Sequence, residues 1–163
     1  MKKIFYTLIS LIFLLSINAC KGYKPIFGSS NINFKIVDYS ISGDKKIGNQ
    51  IYSKLYNLSK SSTNTPKTKN IYILINAVKN KNATSKNNAG KILGYKIELS
   101  TKITIKDIMT GSKILNENYV FSSTFKVHDL YSETLKLENR SIENLINKTY
   151  QDLLITLSGN ILQ

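Results

Sequence analysis

The apolar positions of this chain change period several times, and each change marks an element. Residues 4–17 form an almost unbroken apolar run of about 14 residues behind Lys2 and Lys3. That is shorter than the ~20 residues a permanent membrane-spanning helix needs. The basic flank and the small residue Ala19 at the exit give it the form of a secretory leader. In residues 21–30, Gly22, Pro25 and Gly28 resist regular structure, and the segment reads as a tether that carries Tyr23, Ile26 and Phe27. Residues 32–41 predict a first strand. Ile32, Phe34 and Ile36 alternate, and the phase then slips by one residue to Val37, Tyr39 and Ile41, as it does at a β-bulge or in a strand buried on both faces.

Ser42-Gly43-Asp44 offers a turn and a helix start, and Ile47, Ile51, Leu55 and Leu58 then recur at helical spacing with Tyr52 beside them. Lys45, Lys46 and Lys54 occupy the other side, so this is an amphipathic helix made to lie on a flat surface. Residues 60–70 read as a loop around Pro66, and the apolar run 71–75 as a central strand. Residues 79–91 show no period and read as an exposed, lysine-rich loop. The clearest signal follows: Ile97, Leu99, Thr101, Ile103 and Ile105 alternate with Lys96, Glu98, Ser100, Lys102, Thr104 and Lys106. Such alternation predicts a strand with one core face and one wet face. Residues 107–113, with Thr110-Gly111, predict a hairpin turn into a partner strand bearing Leu115, Tyr119, Phe121, Phe125 and Val127. From Leu130 the pattern turns helical. Leu135 and Leu137 fit it ambiguously, whereas Ile142, Leu145, Ile146, Leu153, Leu154, Leu157 and Ile161 form one stripe. Ser141 is its expected cap, and Gly159 weakens its last turn.

The order strand, helix, three strands, helix predicts an α+β two-layer sandwich, with both helices on one face of a mixed sheet. Three segments are expected: residues 1–19 as a removed signal peptide, 20–30 as a lipidated tether, and 31–163 as a single α+β domain. Removing the leader leaves 144 of the 163 residues, enough for one real core.

Charge narrows the partners. The net charge of +13 falls to +11 when Lys2 and Lys3 leave with the leader. A nucleic acid is the first partner to consider for so basic a chain. The excess, however, is lysine, Arg140 being the only arginine, and bidentate phosphate or base readout favours arginine. An exported protein also meets little nucleic acid, so none is expected. The lysines suit anionic lipid or glycolipid phosphates equally well as a biased composition.

Candidate chemistry is sparse. There is no Gly-x-Ser-x-Gly, no glycine-rich phosphate loop and no His-Glu-x-x-His. The single cysteine and the single histidine, Cys20 and His128, cannot assemble a metal cluster. His128 and Asp129 are neighbours in sequence only. No catalytic residue, metal or cofactor is expected, and the chain is not read as an enzyme.

The residues that carry a resemblance lie at the N-terminus. Ile17-Asn18-Ala19-Cys20 resembles a bacterial lipobox, in which the cysteine is acylated and the chain is cut before it. Lys21 stands where aspartate is the usual signal for retention in the inner membrane, which points to the outer membrane. After it, Gly22-Tyr23-Lys24-Pro25-Ile26-Phe27-Gly28 is similar to the motif Cys-Gly-Phe-x-Pro-Leu-Tyr-Gly found in branches of the LptE family, with Lys21 as an extra residue. The element order agrees with that family, as does the ending, in which Glu138-Asn139-Arg140-Ser141 leads into the apolar stripe. A second departure is a final helix rich in Ser, Asn and Ile where many relatives are rich in alanine.

The resemblance implies an outer-membrane lipoprotein on the periplasmic side, lipid-anchored through Cys20. It would plug and help to fold an LptD-like β-barrel and bind lipopolysaccharide. No family motif selects the contacts. Charge alone nominates Lys79, Lys81, Lys86, Lys91, Lys96 and Lys102. The rival readings are an auxiliary periplasmic lipoprotein of a phospholipid transport system and a structural envelope lipoprotein.

Overall fold

The computed structural model describes residues 34–61 and 68–161. The leader, Cys20 and the tether lie outside the described residues, as does Ile32. The chain forms β1 (Phe34–Gly43), α1 (Lys45–Ser61), β2 (Lys69–Lys86), β3 (Ile92–Asp107), β4 (Lys113–Lys126) and α2 (Tyr131–Ile161). The strands stand in the order β1-β2-β3-β4. β1 runs parallel to β2, and the other pairs are antiparallel. A parallel pair needs a crossover, which α1 supplies. Both helices pack on one face of this mixed sheet, so the architecture is the expected α+β sandwich.

Alternation along the strands decides which face the helices cover. Ile71, Ile73, Ile75 and Ala77 of β2 and Ile97, Leu99, Ile103 and Ile105 of β3 are buried beneath them. Ile47, Ile51 and Leu55 descend from α1, and Leu145, Ile146, Leu153 and Leu157 from α2. The phase slip in β1 is a bulge: its register with β2 shifts between Ile36 and Asp38, which leaves Val37 56% exposed. Tyr39 and Ile41, paired with Ile73 and Ile75, thereby return to the helix side.

At the end of β1, Gly43 takes φ +75°, and the Asp44 amide donates to the Ala77 carbonyl at 2.7 Å. The Asp44 carboxylate accepts the Ile47 amide at 3.1 Å, which caps α1. The helix therefore starts where the sequence places it, capped by a side chain and tied to β2 by a backbone hydrogen bond.

Two expectations are corrected. Residues 79–86 are not loop: β2 continues through them, paired with β3 from Lys79↔Leu99 to Lys86↔Ile92. Backbone pairing with a long neighbour holds them extended, although their side chains are exposed and carry no period. Ser141 does not cap a helix. α2 begins ten residues earlier at Tyr131, and Ser141 is a buried residue in its interior. The helix start is fixed by Thr134, whose hydroxyl accepts from the His128 amide at 2.9 Å and donates to the His128 carbonyl at 3.3 Å.

Candidate functional site

Because both helices take one side, the other face of the sheet lies open. Two cross-strand rows on that face are polar, while the adjoining row Val78–Ser100–Val120 leaves its two valines 46% and 52% exposed. One row runs Ser42–Asn76–Lys102–Asn118, and the next Ser40–Leu74–Thr104–Asn116. Ser100 donates to the Asn118 amide oxygen at 3.2 Å, and Thr104 to the Asn116 amide oxygen at 2.9 Å. Where the two rows meet over β1, β2 and β3, a shallow hollow of about 100 Å³ is lined by Ser40, Ser42, Asn76, Lys102 and Thr104 over Leu74. Three hydroxyls, one carboxamide and one ammonium converge there. Lys102 forms no ion pair among the described residues. Lys96 shares the face but lies 3.6 Å from the Glu98 carboxylate, its neighbour on the same strand. This donor set can hold a phosphate, a carboxylate or a hydroxylated ring. Among the described residues no hydrogen bond joins the Lys102 ammonium to the Ser40, Ser42 or Thr104 hydroxyl, and Thr104 donates to Asn116 instead.

The six nominated lysines do not converge. Lys96 and Lys102 are on the open face. Lys79 lies on the helix side and reaches the groove between α1 and α2, of about 790 Å³. There Ile47, Ile142 and Ile146 are ringed by Asp44, Glu138, Glu143, Lys46 and Lys54. Lys81 pairs with Glu138 of α2, and its ammonium stands 4.3 Å from the Tyr95 ring centre and 5.8 Å from that of Phe125. That clamp fastens the β2–β3 arm to α2, which gives Lys81 a structural task. Lys86 ends β2. Lys91 sits beside the turn, 3.4 Å from Asp129 with both groups exposed, a pair worth little in water.

Sequence reasoning missed Ser40, Ser42, Asn76 and Thr104. Alternation could place each on a wet face, but only the strand register puts them beside Lys102.

A second cluster lies along β1 and α1. Tyr39 stacks on Tyr52 with ring centres 3.9 Å apart, and Tyr52 on Tyr56 at 5.8 Å. The Lys60 ammonium stands 4.6 Å from the Tyr56 ring centre. Burial, and then the neighbouring Tyr39, Tyr56 and Asp38, hold the Tyr52 phenol above its ordinary pKa. Among the described residues no helix is long and apolar enough to cross a membrane, and no three His, Cys, Asp or Glu side chains gather as a metal site.

No protein-family model matches the sequence, and no curated protein matches it. Solved structures share the fold. Lipoprotein B from Nitrosomonas europaea superposes with a TM-score of 0.52 at 13% identity, over 82% of this chain and 88% of that one. A minor lipoprotein from Acinetobacter baumannii gives 0.51 at 14% identity, over 76% of this chain and 91% of that one.

Proposed function

We propose that this chain is a lipid-anchored outer-membrane protein that assists lipopolysaccharide transport and assembly, as plug and folding partner of an LptD-like β-barrel. One conjunction carries the reading: a lipobox-like segment ending at Cys20 stands ahead of a fold shared with minor bacterial lipoproteins. In this reading Cys20 bears the anchor, residues 20–30 are the tether, and the single domain follows in the periplasm. The open sheet face supports it physically. A wall of Ser, Thr and Asn with Lys96 and Lys102 suits the wet lumen of a barrel. The same lysines meet glycolipid phosphates as point charges. The work is holding and guiding, and no chemical step is assigned to the chain.

The test is recovery of the tagged, lipidated protein from gently solubilised envelopes. An outer-membrane barrel in the eluate is the expected result. An inner-membrane transporter in its place overturns the reading in favour of phospholipid transport. Reversing Lys96 and Lys102 together to Glu is expected to weaken lipopolysaccharide binding about tenfold while barrel recovery persists. Unchanged binding removes the open face from the argument.

A further inference from the structure

At one end of the sheet, Lys35 of β1, Asn70 of β2 and the start of the β3–β4 turn lie in a single row. Lys35 pairs with Asn70, and the Asn70 carbonyl accepts the Ile108 amide at 2.9 Å. Two strand spacings, about 10 Å, separate Ile108 from β1 along this row. The turn itself is rigidly built. The Asp107 carboxylate accepts the Met109 amide at 2.8 Å and the Thr110 amide at 3.3 Å, and Gly111 closes it at φ +69°. This frame pushes Ile108 and Met109 outward, 44% and 80% exposed. Lys106 and Lys113 pair at its base, and Lys35 and Lys69 flank it; none of the four has an ion pair among the described residues. The one acid in the turn, Asp107, is occupied by the turn's own amides.

An apolar tip on a lysine collar fits an anionic lipid surface. The chain outside the structure points the same way. Residues 21–33, spanning roughly 45 Å at most, join Cys20 to Phe34, and Phe34 opens β1 at this end. We infer that, before the domain seats in a barrel, the Ile108–Met109 turn is a membrane-contact tip that dips into the leaflet holding the anchor, so that the domain stands on its β3–β4 end with the β2–β3 turn directed away. This rests on the lipid-anchor reading above. Leu130 and Tyr131 are also exposed, 68% and 78%, but they lie where the chain enters α2, at the opposite end of the sheet.

The experiment uses the full lipidated protein on vesicles of phosphatidylethanolamine and phosphatidylglycerol. With Cys20 acylated, Met109→Cys and Leu130→Cys each offer one thiol for a fluorophore. Nitroxide-bearing acyl chains are expected to quench the label at 109 several-fold more than the label at 130. Equal quenching, or stronger quenching at 130, overturns the inference. So does a label at 109 shielded from both the lipid quencher and aqueous iodide, since that places the tip against protein. The mass of the N-terminal peptide reports the anchor separately. An unmodified Cys20 overturns the lipoprotein reading and this inference with it, whereas a modified Cys20 with an aqueous label at 109 overturns this inference alone.

Discussion

Gly43 shows how much of this fold can hang on one hydrogen atom. Its φ of +75° disfavours any L side chain, and a Cβ there would meet the Ala77 carbonyl oxygen at 2.1 Å. That oxygen already accepts the Asp44 amide that starts α1. Gly111 has a similar φ of +69° with nothing within 4 Å of a built Cβ. The two positions therefore separate backbone strain from collision. Gly111→Ala should cost only the left-handed penalty of about 1–2 kcal/mol. Gly43→Ala adds the clash and the loosened Asp44 bond, and should cost distinctly more. Urea denaturation of the two variants side by side reads the difference, and equal losses would mean that β1 and β2 yield at no cost. Lys81 carries a different lesson at the same scale. Its charge nominated it as a ligand contact, yet Glu138, Tyr95 and Phe125 already claim its ammonium. Charge in a sequence does not reveal whether the protein has already used it.

Helix α1 crosses β1 at a point set by Gly48, where an added Cβ would fall 2.4 Å from the Cγ2 methyl of Ile41. Glycine inside a helix normally costs about 1 kcal/mol relative to alanine. Here the closeness of helix and strand reverses the sign, because the branched Ile41 side chain has little room to turn. Gly48→Ala should thus lower the thermal midpoint, while Gly48→Ala combined with Ile41→Val, which leaves that methyl in place, should recover little of it. A rise in midpoint for the single variant would show that α1 can lift off the sheet freely. Elements were legible where burial imposes a period. The strict alternation of 97–105 and the 47-51-55 stripe of α1 follow directly from one-sided burial, and the bulge at Val37 from a slip in phase. Legibility failed where neither face of an element is covered. Residues 79–86 have no period because none of their side chains is buried, and only backbone pairing with β3 makes them a strand. The helical pattern from Leu130 matches α2, but its cap escaped for a related reason: the first turn is fixed by Thr134 reaching back to His128, not by Ser141 ahead of the apolar stripe. The hollow around Lys102 depends on register across three strands, which no single stretch of sequence encodes.

For the molecule as a whole, pH reaches stability through buried phenols. Burial raises the pKa of Tyr119 and Tyr150 above the ordinary 10.0, and burial with nearby phenols and Asp38 does so for Tyr52. The sign follows from linkage. A folded state that keeps its phenolic protons longer than the unfolded chain is fully favoured below pH 10, and it loses that advantage as pH rises through the folded values. The urea midpoint should therefore hold through neutral pH and fall above about pH 10. Lysine neutralisation in the same range relieves repulsion in a strongly basic chain and so opposes the fall, which makes a single-residue comparison the cleaner measurement. Tyr119 is suited to it. Its hydroxyl is buried beside the Thr156 hydroxyl, which donates to the Asp152 carbonyl at 2.9 Å, and it meets no partner at hydrogen-bond geometry. Tyr119→Phe removes a group that gains nothing from folding, so stability at pH 7 should stay level or rise by up to about 1 kcal/mol. Above pH 10 the same variant should lose less than the parent, since no proton need leave a buried site. A variant that weakens at pH 7 and keeps the parent's alkaline limb would mean that the Tyr119 hydroxyl is hydrogen-bonded in solution and that the alkaline loss comes from Tyr52 and Tyr150.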